Sequence, residues 1–441
     1  MGSRTYFRGK FVKMKLVHRL NIAIFTFITG TAFLCTPPSK YKNLSTPQDR
    51  VNMTVSVLAD DMMEGREVGT EGERKASEYI AGKMMTMGLQ AKGDSSWFQY
   101  FSFVPHAPGQ IHHNGDSTSM GMALVKEIKG RNVIGFLDNG AATTVIIGAH
   151  YDHLGMGDEN SLWTGPKAIH NGADDNASGV SSLIELAQWL SAKPAGTTHN
   201  NYLIMAFSGE EKGLWGSNYF TKHPTIDLKT VSYMLNMDMV GKLNAEKALA
   251  INGVGTCPDW MQILPEIQVD GIKIVTSESG VGASDHTSFY LVDIPAIHFF
   301  TGQHEDYHKP SDDADKLNYA GIVSVTNYIQ QVILKMDGRG KPQFTKTKDA
   351  TPSSSDFKVT LGVIPDYLYS GAGLRIDGAK DGKPGAKAGL KGGDTIMKMG
   401  DYDIADIYGY MEALGKFEAG QTVDCVVERA GERIVLQVTF E

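Results

Sequence analysis

Five side chains of metal-binding type, His150, Asp175, Glu211, Asp238 and His308, stand just after apolar runs or at the start of a helical pattern. Imidazole and carboxylate are the ligands of a catalytic zinc, and such a site keeps one position open for water. Two metals need about six protein contacts, which five residues supply if one carboxylate bridges. Asp175 is the natural bridge, because it lies in Gly172-Ala173-Asp174-Asp175-Asn176-Ala177-Ser178-Gly179, a tight loop ahead of a helix whose backbone amides help to hold an anion. Asp238 would then share one metal with His150, leaving Glu211 and His308 for the other. Asp152, two residues after His150, is close enough to accept the second ring N–H and fix the imidazole tautomer. Glu210 neighbours a ligand but projects differently, so it is the expected general base toward an activated water. The chemistry this set allows is two-metal hydrolysis of a peptide-like bond.

Four apolar runs must place these residues: Thr143–Ile147 ahead of His150, Tyr202–Phe207 ahead of Glu210 and Glu211, Val231–Leu235 ahead of Asp238, and Ile294–Phe300 ahead of His304 and His308. Val180, Leu183, Ile184, Ala187 and Leu190 recur at helical spacing between the first two, and a further helix is expected from about Glu71 to Met87. Strands alternating with helices predict an α/β fold with a mainly parallel central sheet flanked by helices, and in such sheets ligands gather beyond the carboxyl ends of the strands. Asp60, Asp61 and the following Glu64-Gly65-Arg66 read as a solvated turn.

The chain of 441 residues is long enough for a large and a small domain, and 41% apolar against 21% charged residues is ordinary for a globular protein. With 42 basic and 50 acidic residues and no basic stripe beyond the N-terminus, nucleic-acid binding is not expected. Arg4, Arg8, Lys10, Lys13, Lys15 and Arg19 precede an apolar run from Asn21 to Leu34, the layout of an export signal and too short to span a bilayer. The expected destination is periplasmic or extracellular; Cys35 offers a lipid anchor as the alternative to simple cleavage, and the only membrane contact. Cys257 and Cys425 fall in different expected domains and are not expected to pair. The divisions are residues 1–43 as signal and tether, 44–338 as catalytic domain, 339–356 as a Gly/Pro/Ser-containing linker, and 357–441 as a small β-rich domain.

His150-Tyr151-Asp152, the Gly172–Gly179 loop, Ser208-Gly209-Glu210-Glu211-Lys212-Gly213, Asn236-Met237-Asp238 and His308 together resemble the M28 family of zinc aminopeptidases, with Met63-Glu64-Gly65-Arg66 and Gly69-Thr70-Glu71-Gly72 included in the resemblance. It implies two Zn2+ per chain, Asp175 as bridge, a cis peptide to Asn176, and peptide substrates with a free N-terminus. Related enzymes of other specificity, a carboxypeptidase or a one-zinc glutaminyl cyclase, are the alternatives, followed by a peptide-binding protein without turnover. A tyrosine that some relatives carry ahead of Ser284-Asp285-His286 is replaced here by Val281 or Gly282. Adjacent residues cannot converge as a triad, so Ser284-Asp285-His286 is not read as a nucleophilic site. His112, His113, His170, His298 and His304 are read as surface or pocket-wall residues. In the C-terminal segment, Gly371-Ala372-Gly373-Leu374 and Gly389-Leu390-Lys391-Gly392-Gly393-Asp394 resemble a PDZ domain. That resemblance implies a C-terminal peptide as partner, its carboxylate held by amides of Gly371, Ala372, Gly373 and Leu374.

Overall fold

A computed structural model describes residues 46–103, 127–194, 196–347, 359–365, 371–379, 382–405 and 407–441. The expected signal segment, Cys35, His112, His113 and residues 348–356 of the linker lie outside the described residues.

Nine strands form the larger sheet: β1 (Gln90–Ala91), β2 (Phe98–Phe103), β3 (Ile128–Leu137), β4 (Thr143–His150), β5 (Asn200–Phe207), β6 (Val231–Met237), β7 (Ala248–Asn252), β8 (Lys273–Ser277) and β9 (Ala296–Phe300). The four strands expected from the sequence lie side by side in the order β5-β4-β6-β9, and each neighbouring pair is parallel. Around this centre the sheet is not mainly parallel but mixed: β3 runs antiparallel to β5, β1 and β2 antiparallel to β3, and β7 antiparallel to β9, with β8 parallel to β7. The reason is legible in the burial. Central strands β5 and β6 are buried at every position, so they read as continuous apolar runs. β8 is exposed or half-buried throughout and β2 alternates, so neither gives a comparable signal.

Alternate residues of each central strand supply opposite cores. Val145, Ile147, Tyr202, Ile204 and Ala206 face one side, while Ile146, Leu203, Met205 and Phe207 face the other with Phe220 and Phe289. The first side is covered by α1 (Pro47–Leu58), α2 (Glu71–Thr86), α3 (Gly179–Ser191) and the helix Tyr319–Met336. α1 opens the expected catalytic domain where the sequence reading placed no element; a reciprocal capping box between Thr46 and Asp49 starts it, and Val51, Val55 and Leu58 bury its inner face. α2 follows the expectation and is capped by Thr70, whose side chain accepts from Glu73 N.

A second sheet, six-stranded and antiparallel, contains β10 (Val363–Pro365), β11 (Leu374–Ala379), β12 (Thr395–Met399), β13 (Tyr402–Asp403), β14 (Thr422–Arg429) and β15 (Glu432–Thr439). It closes its own core around Leu361, Ile376, Ile396, Cys425 and Phe440, so the small β-rich unit is present. Cys257 and Cys425 are separate buried thiols. Buried Asp394 ties the turn before β12 to β14: Oδ1 and Oδ2 accept from Arg429 Nε and Nη2 at 2.6 and 2.7 Å, and Oδ2 also accepts from Lys391 N. Burial opposes the charge, yet Arg429 holds this carboxyl below its ordinary range. A depressed folded pKa contributes stability above the unfolded value and loses it as pH falls through the folded one. Asp394→Asn should therefore weaken protection of β14–β15 amides by about 1.5–3 kcal/mol at neutral pH and remove the acid-dependent part of that loss, read by hydrogen exchange. Equal protection in both chains at pH 7 would show that the pair contributes nothing.

Candidate metal centre

His150 is the last residue of β4, and Tyr151 N continues the ladder to Phe207 O at 2.8 Å. Glu210 and Glu211 follow β5 through Ser208 and Gly209, the latter at φ +74°. Asp238 follows β6, its amide donating to Phe299 O. Asp175 lies just before α3 and is joined to Asn176 by a cis peptide bond, as expected. His308, at φ +53°, comes from the loop after β9. Parallel packing of β5, β4, β6 and β9 brings these separated loops to the carboxyl end of the central strands.

The ligand atoms form two groups that meet at Asp175. Its Oδ1 lies 3.3 Å from His150 Nε2, which is 3.2 Å from Asp238 Oδ1. Its Oδ2 lies 3.2 Å from His308 Nε2, which is 3.2 Å from Glu211 Oε2. Zinc with N and O ligands at 2.0–2.2 Å in tetrahedral array separates ligand atoms by about 3.3 Å. Buried His150 Nε2 and Asp238 Oδ1 make no hydrogen bond among the described residues despite that proximity. Bare, buried, mutually facing donors at this spacing fit a cation between them. The five residues expected as ligands are thus brought together in the expected pairs.

The charges follow the same logic. Burial disfavours a charged His150, but Asp238 and Glu210 outweigh it and hold the ring well above its ordinary range. Burial likewise opposes an ionised Glu211, which His308 nevertheless pulls down to about 2. Burial drives the Glu210 carboxyl well above the carboxylate range against the pull of His150. A cluster this acidic attracts positive charge.

Imidazole orientation is set from behind. His308 Nδ1 lies 2.8 Å from Asn160 O, leaving Nε2 for the cluster. His150 Nδ1 lies 3.3 Å from the backbone carbonyl of Asp152, with the Asp152 carboxylate farther, at 3.7 Å. Asp152 Oδ1 instead accepts from Glu210 N at 3.2 Å, so this residue braces both the first ligand loop and the candidate base.

Three supporting residues were not legible as such. Arg66, read as part of a solvated turn, is fully buried, although Asp60, Asp61 and Glu64 are exposed. Its guanidinium donates to Tyr151 O at 2.8 Å, Asn171 O at 2.6 Å, Gly172 O at 2.9 Å and Leu58 O at 2.5 Å, clamping two ligand loops to the end of α1. Burial lowers its pKa to about 10, while Asp175 and Asp152 act to keep it charged. Asp312 accepts from the backbone N–H of Asp174 and Asp175 at 3.0 Å, an anion in the nest that presents the Asp175 carboxylate. His153, just past Asp152, is wholly buried with Nδ1 2.7 Å from Glu211 Oε1. An imidazole three residues after the first ligand was the available signal. The histidines read as surface or wall residues divide: His298 is buried on β9 and stacks on His286 at 4.8 Å, His170 is buried against Ser161, and His304 lies 3.2 Å from Asp174. Ser284 Oγ accepts from Asn236, and His286 makes no hydrogen bond among the described residues, so no triad forms.

Residues 132–333 match the model of peptidase family M28. A probable leucine aminopeptidase of Trichophyton verrucosum is 30% identical over 321 residues, covering 68% of this chain and 82% of that relative. The chain belongs to peptidase family M28. That membership and the aminopeptidase relatives support a hydrolase. Aminopeptidase YwaD of Bacillus subtilis is 26% identical over 223 residues, 48% of this M28 chain and 45% of the relative. The chain thus spans about half the length of several curated relatives it matches. In fold it is similar to the zinc aminopeptidase BSAP of Bacillus subtilis, with 19% identity and a TM-score of 0.51 across 68% of this chain and 98% of that one.

At the other expected site, Leu374 opens β11 opposite Ile396, and Gly373 N donates to Ala405 O at 2.8 Å. The Gly373 amide expected to hold a peptide carboxylate is therefore used inside the small domain.

Proposed function

We propose that this chain is an exported aminopeptidase that uses two zinc ions to release residues from the free N-termini of peptides. The observation that carries the reading is Asp175 turning one oxygen to His150 and the other to His308, each backed by its own second carboxylate. His150, Asp238 and Asp175 would hold one ion, and His308, Glu211 and Asp175 the other. When bound, zinc polarises the scissile carbonyl and makes a water acidic enough to attack near neutral pH. Glu210 takes the proton from the attacking water and delivers it to the leaving amine. Its raised proton affinity suits the second half of that task, and Asp152 steadies the backbone from which it acts. The aminopeptidase relatives support the substrate class, and the basic-then-apolar N-terminus supports export. A complete His150–Asp238 group favours this reading over a one-zinc cyclase.

The purified chain, stripped by a chelator and resupplied with zinc, should cleave an aminoacyl anilide with a free amine and leave its N-acetylated twin intact. Cleavage of the acetylated twin would move the assignment to another amidohydrolase, and inertness toward both would sink the enzymatic reading.

A further inference from the structure

We propose that His153 is a positioning residue that fixes Glu211 as a one-oxygen ligand and so sets the affinity of the metal position shared by His308, Glu211 and Asp175. The proposal rests on the two-metal reading above and concerns a residue that the ligand pattern does not include.

The distances decide between a further ligand and a brace. Four ligand contacts in this centre fall at 3.2–3.3 Å, the edge expected of donors around a common ion. His153 Nδ1 lies instead 2.7 Å from Glu211 Oε1 and 3.8 Å from Asp175 Oδ2. The short contact has the length of a charge-assisted hydrogen bond. A carboxylate only accepts, so the imidazole donates its Nδ1–H, and a nitrogen carrying that proton cannot also ligate a metal. Glu211 thereby divides its oxygens: Oε1 is held by His153, and Oε2 faces His308. With Oε1 restrained, Glu211 is not free to swing into two-oxygen chelation, and a coordination position is kept for substrate or water.

The ring is built into place. Gly172, at φ +56°, presents a bare face to it; a Cβ there would meet His153 Cγ and Cδ2 at 2.5 Å. His153 N donates to Arg66 O at 3.3 Å, and the ring meets His308 edge-on at 5.8 Å. The brace is thus coupled to the same Arg66 and Gly172 that shape the bridging loop.

The test titrates the metal-free full chain with zinc by calorimetry and with Co2+ by visible absorption, in wild type, H153F and H153N. Asparagine can place an amide N–H near the position of Nδ1, whereas phenylalanine keeps the ring and removes the donor. Loss of a hydrogen-bonded support of this kind weakens metal binding by about 10–100-fold. The expected result is such a loss in one binding step for H153F, the other step unchanged, recovery in H153N, and a Co2+ spectrum of fully loaded H153F that keeps its ligand-field pattern. Wild-type affinity in a folded H153F would overturn the proposal. A loaded H153F whose spectrum shows one nitrogen ligand fewer would overturn it in favour of direct ligation. If H153F does not fold, the proposal is judged on H153N, whose binding must stay within a few-fold of wild type. A wild type that binds one ion sinks the two-metal reading alone, and His153 is then judged by whether that ion's affinity falls in H153F.

Discussion

Glu210→Gln should lower turnover of a free-amine peptide substrate by about 10²–10⁴-fold while zinc content stays at the wild-type value. The amide keeps the size and much of the packing of the carboxyl but cannot accept a proton. Glu210 is held apart from the ligand set by its place in the loop: its amide is anchored on Asp152 Oδ1 and its carbonyl receives Gly213 N, while Glu211 next to it faces His308. A general base acts only when deprotonated, so activity of the wild type should rise with pH through the pKa of Glu210, and that acidic limb should vanish from the residual activity of the variant. Steady-state rates across pH with metal analysis on the same samples check both halves. Near-normal turnover would remove Glu210 from its role, and loss of zinc together with activity would make it a structural residue.

The second large effect is on stability. Arg66→Met should destabilise the catalytic unit by about 3–5 kcal/mol, because a buried group with four hydrogen bonds is removed and its partners are left unpaired. At roughly 2–4 °C per kcal/mol for a unit of this size, the melting temperature should fall by about 6–20 °C. Lysine should rescue little of it, since one ammonium cannot reach Leu58, Tyr151, Asn171 and Gly172 carbonyls as a planar fork does. Zinc affinity should fall in the same variant, because the carbonyls of Tyr151 and Gly172 belong to the two ligand loops. A melting temperature within 2 °C of wild type would show that the clamp is dispensable, an outcome well outside this range.

The contrast between Glu210 and Arg66 shows what sequence reading reaches. The candidate ligands His150, Glu211 and Asp238 were legible because each closely follows a run such as Thr143–Ile147 or Val231–Leu235 in the buried centre of the sheet, and Asp175 because it opens a helical pattern. Chemistry and strand end coincide there within a few residues. The parallel direction expected of the central strands came from the same runs. Arg66 and Asp312 act by accepting or donating to backbone groups far along the chain, 85 residues away for Arg66 to Tyr151 and 138 for Asp312 to Asp174. No local pattern marks such a partner, and an arginine beside glycine and exposed acids reads as surface. The outer strands escaped for a different reason: β1 and β8 carry too little buried apolar surface to stand out. α1 was hidden because its polar outer face dilutes Val51, Val55 and Leu58.

If Asp175 is shared between two zinc ions as proposed, its carboxylate also ties metal supply to the folding equilibrium. Ligands taken from positions 150 to 308 come together only after β4, β5, β6 and β9 have paired in register. An ion that recognises this assembly and not the extended chain draws the population toward the native state by mass action, by about 2.7 kcal/mol when free zinc is a hundredfold above its dissociation constant. Scarcity of zinc would then shorten the life of the molecule as well as silence it, since the fraction open to proteolysis grows as the metal leaves.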